Sequence, residues 1–309
     1  MKQREYRWWQ MLVLVVLAAA TVLSLVIPER FLVGPDPKRV EVSILIRQTD
    51  NTFCATARQG MEQAAEDLGA ELRFLTLPED NDSDAQIELL RREIDVGVDA
   101  AVVAPVDCEK LALFLGDTPP IPVVSIESPV DGTSAGVYPN NEQAGQLLAE
   151  QLISDFPDGG QVLLVNSCPG AVGLSTRLEC AQKLLQDAGF SIAVCNGFST
   201  QKLLEKADFV VCFEAQALDI AVQQSFECAA PPKIYGAGVT DSVVAQVERG
   251  QISVLAAWSE YAVGYLSVTQ AVAAARNQSV EDYLLPVSIV QEGNTYDPDH
   301  QKLLYPIAG

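Results

Sequence analysis

Val40 to Leu77, VEVSILIRQTDNTFCATARQGMEQAAEDLGAELRFLTL, decides the fold. Val40 to Ile46 is short and rich in Val and Ile, the composition of a strand buried on both faces. Asp50, Asn51 and Thr52 are turn and N-cap residues. From Phe53 to Leu68 apolar residues recur at helical spacing (Phe53, Ala57, Met61, Ala64, Ala65, Leu68), and Gly69 follows as a stop. Glu71 to Leu77 reads as the next strand. The stretch is a βαβ unit whose first loop ends at a helix N-terminus. In open α/β sheets ligands bind there, outside the carboxyl ends of the strands.

The alternation continues outward. Ser83 is read as capping a helix that runs through Ile94, and Ala100 to Ala104 as a buried strand. A short helix ending near Leu115 precedes the strand Val123 to Ile126, with Glu127 and Ser128 at its carboxyl end. Ala135 to Tyr138 is a brief strand. Asn140 and Asn141 then open a long helix, and a second series begins with the strand Gln161 to Val165 and the glycine-containing loop Asn166 to Gly173. Helices are predicted over Leu174 to Ala188, Glu214 to Phe226, Thr240 to Arg249 and Glu260 to Asn277, with only a stub at Gln201 to Lys206. Strands are predicted at Ser191 to Cys195, Phe209 to Cys212, Ile234 to Ala237, Val254 to Trp258 and Leu284 to Ile289, and the tail is read as irregular. Two successive βα series imply an α/β fold of two doubly wound parallel-sheet lobes. The expected division is 1–30 for a cytoplasmic tip and transmembrane anchor and 31–39 for a linker. Residues 40–139 plus 259–288 form the N-terminal lobe, and 140–258 plus 289–309 the C-terminal lobe.

The totals exclude several functions. With 20 Lys and Arg against 41 Asp and Glu, and a formal charge of -21, the chain lacks the cations needed to neutralise phosphates, so nucleic acid is not expected as a partner. A single histidine, His300, removes most imidazole-dependent catalysis and His-rich metal sites. The seven cysteines form no CxxC pair, so a zinc ribbon or thioredoxin-like site is not expected, and no metal or cofactor is assigned. The single GxSxG match, Gly132 to Gly136, runs into the brief strand Ala135 to Tyr138 and not from a strand into a helix, so it is not a nucleophile elbow, which weighs against an α/β hydrolase. NSCPGAVG lacks the lysine of a phosphate-binding loop.

At the N-terminus, Met11 to Ile27 carries no charge, Trp8 and Trp9 extend it, and Lys2, Arg4 and Arg7 precede it. Such a run is short for a membrane span and long for a signal peptide core. It is read as an uncleaved signal anchor, a single-pass transmembrane helix. The basic flank then places the tip in the cytoplasm and the rest outside.

Several ordered stretches, covering about Val40 to Ile289, resemble the type 1 periplasmic binding proteins of the ribose-binding kind. They are the strand followed by QTDNTF and a helix closed by DLG, then VDAAVVAPVD, IPVVSIES, YPNNEQAG, GLSTRLECAQKLL and YGAGVTDSVVAQVERGQISVLAAWSEYAVG. The same core occurs in lac-repressor-type regulators, which carry a DNA-binding helix-turn-helix where this chain has its apolar segment.

The resemblance implies site residues. Asn51 and Phe53 match the family's first-loop asparagine and sugar-stacking aromatic, and Arg177 matches an arginine that donates to ligand oxygens. Glu127 stands where the family has an aspartate that accepts from sugar hydroxyls. Glu214, or its neighbour Phe213, falls near a family asparagine, and Trp258 where the family has a glutamine. Ala104, Ser128, Cys54 and Gly238 replace family binding residues. Read without the resemblance, Arg177 is equally a solvated helix arginine, Trp258 a core residue, and Glu127 a turn cap. The implied function is a membrane-anchored extracytoplasmic substrate-binding protein, not an enzyme. It captures a small polar ligand, a sugar or sugar-like molecule, between its lobes for an ABC transporter. The alternatives are a ligand-sensing ectodomain partnered with a sensor kinase and an α/β hydrolase. A monomer is expected. A pocket with Phe53 and Trp258 could also hold a nucleoside or a less polar metabolite.

Overall fold

The computed structural model describes residues 8–9, 13–17, 21, 39–49, 55–116 and 119–305. The chain divides into two units, Met1–Arg39 and Val40–Gly309. In the first, residues 8–9, 13–17 and 21 are helical and exposed, and Arg39 is exposed outside any helix. Most of the expected anchor and linker lies outside the described residues, and among those described no helix is long and apolar enough to cross a membrane.

The second unit begins with β1 (Val40–Leu45), α1 (Ala55–Leu68), β2 (Ala70–Leu75) and α2 (Ser83–Val96). It continues through β3 (Ala100–Val103), α3 (Cys108–Leu115), β4 (Val123–Ile126) and β5 (Ala135–Pro139). The second series is α4 (Asn141–Asp155), β6 (Gln161–Asn166), α5 (Val172–Asp187), β7 (Ser191–Asn196) and α6 (Gln201–Leu204). Then come β8 (Phe209–Cys212), α7 (Ala215–Ser225), β9 (Lys233–Ala237), α8 (Asp241–Glu248) and β10 (Val254–Ala257). The chain returns through α9 (Glu260–Ala275), β11 (Tyr283–Leu285) and β12 (Ser288–Val290), and ends in α10 (Pro298–Leu304).

Two six-stranded sheets result, ordered β11-β5-β4-β3-β1-β2 and β12-β10-β9-β8-β6-β7. All pairings are parallel except β12 against β10. Every residue of β3, β4, β8 and β10 is buried, as central parallel strands covered by helices must be. The chain passes between sheets three times among the described residues: before α4, before α9, and between β11 and β12. Helix α4 packs on α5 and the second sheet, and α9 on α1 and the first. One apolar core runs from the first sheet into the second through Ala104, Ile126, Phe213 and Trp258.

Caps set the helix starts. Asp82, not Ser83, caps α2 by accepting from the Ala85 amide, so Ser83 is its first residue. Asn140, Thr240 and Ser259 cap α4, α8 and α9 in the same way. Two other expectations are corrected. The single strand predicted over Leu284 to Ile289 is two short strands in different sheets, separated at Pro286, which has no amide proton to extend a ladder. The tail is not wholly irregular: Pro298 opens α10, whose Leu304 is buried.

Candidate functional site

The carboxyl ends of both sheets face one cleft. Arg47 follows β1, Ala104 follows β3 and Glu127 follows β4. From the other lobe, Glu214 follows β8, Gly238 follows β9 and Trp258 follows β10. Arg177 reaches in from α5. The cavity between them measures about 60 Å³, room for roughly four waters. Glu127, Arg177, Glu214 and Trp258 all line it. Asn51 and Phe53, also expected there, lie outside the described residues.

Arg47 organises the polar centre, and sequence reading missed it. Its side chain is 1% exposed. Its Nε and Nη2 donate to Glu127 Oε2 at 3.2 and 2.6 Å, and Nη2 also to Glu214 Oε2 at 2.9 Å. Ser167 Oγ donates to Glu214 Oε1. One buried guanidinium thus ties a carboxylate of its own lobe to a carboxylate of the other. Burial alone would push the Glu127 carboxyl up, but the charges of Arg47 and Arg177 and the Arg47 hydrogen bond outweigh it and hold it below its usual range. Burial likewise opposes the charge on Arg47, and Glu127 and Glu214 overcome it. Glu127 adopts φ 64, a strained conformation for a residue with a side chain. Its carbonyl accepts from Asn141 Nδ2 at 2.9 Å, which fixes that turn.

Arg177 is fully buried. Its Nε donates to Asn141 Oδ1 at 2.7 Å and its Nη1 to the Phe213 carbonyl at 2.6 Å. The guanidinium lies 4.5 Å from the centre of the Trp258 ring. Burial pulls its pKa down to about 10, with Glu127 and Glu260 countering. The solvated alternative for Arg177 is therefore excluded. The Trp258 ring, 1% exposed, is both core and cavity wall. Phe213 contributes its carbonyl, while its ring is buried in the core.

Glu260, the first residue of α9, was not anticipated either. Burial and the nearby Glu127 charge push its pKa up to about 8, against the pull of Arg177 and the Trp258 N–H beside it. The folded chain therefore holds a proton here that the unfolded chain, titrating near 4.5, releases. Stability is lost as pH rises between those two values. Thermal unfolding from pH 5 to pH 9 is expected to show this decline in the wild type and a flatter profile in Glu260→Gln. Equal slopes would place Glu260 in an unperturbed environment.

The lobes are closed on each other. Cys108 N donates to the Gly170 carbonyl at 3.0 Å, Gly173 N to Ser128 Oγ at 2.9 Å, and Gln216 Nε2 to Asp80 Oδ2 at 2.7 Å. Leu77 and Val106 of one lobe pack with Cys168, Ala171 and Leu174 of the other. The loop that resembled a weak phosphate binder is thus a closure surface, and its glycines permit the approach. A Cβ on Gly173 would sit 2.3 Å from the Glu127 carbonyl oxygen. Gly173→Ala is expected to hold the lobes apart, seen as a larger radius of gyration in solution scattering. A profile matching wild type would refute this. The six described cysteines are free thiols, and Cys212 is fully buried.

A family model for a periplasmic binding protein domain matches residues 42–279. Among solved structures, a carbohydrate-transporter solute-binding protein from Agrobacterium radiobacter in complex with D-arabinose has TM-score 0.76 and 19% identity, covering 86% of this chain and 99% of its own. A solute-binding protein from Bacillus halodurans with bound myo-inositol has TM-score 0.73 and 20% identity, over 87% and 100%. One from Agrobacterium vitis with bound D-fucose has TM-score 0.75 and 17% identity, over 86% and 100%. No curated protein sequence matches. At these identities the structures establish the shared two-lobe fold, while the family model reaches the sequence itself. With its cleft at the strand ends and its family domain over most of its length, the chain belongs to the periplasmic binding protein family, solute receptors rather than enzymes.

Proposed function

We propose that this chain captures a small polar ligand, a sugar or sugar-like molecule, between its lobes on the outer side of a membrane, and that an ABC permease reads the closed form. Residues 40–139 with 259–288 would move as one body and 140–258 with 289–309 as the other. The apolar segment before Arg39 would tether the receptor to the membrane. The observation that carries the reading is the cavity at the strand ends, where Arg177, Glu127 and Trp258 meet between lobes joined by bonds that exist only when closed. Closure-specific contacts are what let a ligand shift the balance between open and closed forms. The three related structures named above hold D-arabinose, myo-inositol and D-fucose. Partnership with a membrane sensor instead of a permease uses the same capture step.

The test is a thermal-shift screen of the full-length chain against sugars, sugar acids, nucleosides and amino acids. A stabilising ligand whose effect disappears in Arg177→Ala is the expected result. A hit that survives Arg177→Ala undiminished would move the site elsewhere.

A further inference from the structure

We infer that the cleft takes a hydroxy carboxylate, an anionic ligand whose carboxylate meets Arg177 Nη2 and Trp258 Nε1 while a hydroxyl donates to Glu127. The inference rests on the capture reading above and narrows its ligand class.

Arg177 lacks what Arg47 has. Both guanidiniums are buried, but Arg47 pairs with two carboxylates. Arg177 bonds only neutral acceptors, an amide oxygen and a backbone carbonyl, and no carboxylate among the described residues forms an ion pair with it. A buried charge without a paired counter-charge is strongly unfavourable, so this position favours an anion. Arg177 Nη2 is buried with no hydrogen-bond partner, and Trp258 Nε1 makes no bond of ordinary geometry, although the Glu260 carboxyl lies beside it. Both residues line the same cavity, with the guanidinium stacked over the ring. Two unfilled donors suit the two oxygens of a carboxylate.

The acceptors of the cavity serve the ligand's hydroxyls. Glu127 Oε2 and Glu214 Oε2 are held by Arg47, and Glu214 Oε1 by Ser167. Ala104 and Gly238 line the cavity without polar side chains. Among the described lining residues, what remains is the second oxygen of Glu127, the Glu260 carboxyl and the amide oxygens of Gln48 and Gln216, the last with its nitrogen already donating to Asp80. These take the hydroxyls of a ligand whose carboxylate is placed by Arg177. A phosphate dianion would demand more donors and more positive charge than these groups supply.

Glu260 faces this end of the cavity together with Glu127, Glu214 and Arg177, and Asp219 and Asp241 line the adjoining depression. With its pKa raised to about 8 by burial and by Glu127, Glu260 is a neutral acid at pH 7 and does not repel an incoming anion. Its ionisation at higher pH does.

The experiment is isothermal titration of the full-length chain with matched pairs, D-gluconate against D-glucitol and D-glycerate against glycerol, at about pH 7 and about pH 9. The carboxylate of at least one pair is expected to bind about tenfold or more tighter than its neutral partner, with the advantage shrinking at the higher pH. The pairs are compared on the wild type, so the result does not depend on whether an Arg177 variant folds. Equal or tighter binding of the neutral members overturns the carboxylate inference and leaves solute capture standing. No binding by any of these, nor by any compound of the wider screen, overturns both.

Discussion

Arg47→Met destabilises the folded chain by about 3–5 kcal/mol, read as a fall in the denaturant midpoint at constant slope. The substitution keeps most of the side-chain volume and removes only the charge and its donors. It leaves Glu127 and Glu214, both held by Arg47 in the wild type, with neighbouring negative charges and no cation between them. Burial, which the Arg47 charge now outweighs at Glu127, then works unopposed by it, so that carboxyl titrates higher. The remedy identifies the cause. Arg47→Met combined with Glu127→Gln and Glu214→Gln is expected to recover most of the loss, because the uncompensated charges are gone. A single variant within about 1 kcal/mol of wild type would mean that the ion pairs are solvated and do not hold the lobes.

Gly264→Ala has the second large effect, a loss of about 3 kcal/mol. Alanine in a helix interior is intrinsically better than glycine by about 1 kcal/mol, so propensity alone predicts a gain. Packing reverses the sign. A Cβ on Gly264 would lie 1.8 Å from the Ala57 carbonyl oxygen, and one on Gly60 would lie 2.1 Å from the Tyr261 carbonyl oxygen. Helices α1 and α9 cross backbone to backbone at these two glycines, and a methyl group forces them apart. The first lobe's core residues Met61, Ala64, Val263 and Val268 lie on the same two helices and would lose contact as the helices separate. The second lobe repeats the device, with Gly145 of α4 against the Arg177 carbonyl of α5. There the separation would also move the guanidinium in the cleft. A calorimetric scan in which Gly264→Ala matches or exceeds the wild-type midpoint would refute the close crossing.

Much of this molecule was legible from local pattern. The βα alternation, the helix starts at Asn140, Thr240 and Glu260, and the central strands all follow from interactions within a few residues. Glu127, Glu214 and Trp258 were marked by the resemblance, and each stands within two residues of the carboxyl end of a buried strand. Arg47 carried the same signal, an arginine immediately after Ile44, Leu45 and Ile46, all buried, and the family comparison did not mark it. Asn141, read only as a helix opener, also holds both Arg177 and the Glu127 turn.

The sequence by itself determined that two parallel-sheet lobes form and that their strand ends carry acids, an arginine and a tryptophan. Periodicity, capping and strand composition act over short stretches, so they can be read one stretch at a time. Only the tertiary structure decided which of those groups are engaged with one another. Arg47 meets Glu127 across 80 positions and Glu214 across 167, Glu260 shares their cleft, and Pro286 divides one apolar run between two sheets. These outcomes depend on strand order and on how far the lobes close. At such separations a pairing is set by the packing of the whole chain, and no short stretch of it shows that Arg47 pairs with two carboxylates while Arg177 bonds an amide oxygen and a backbone carbonyl.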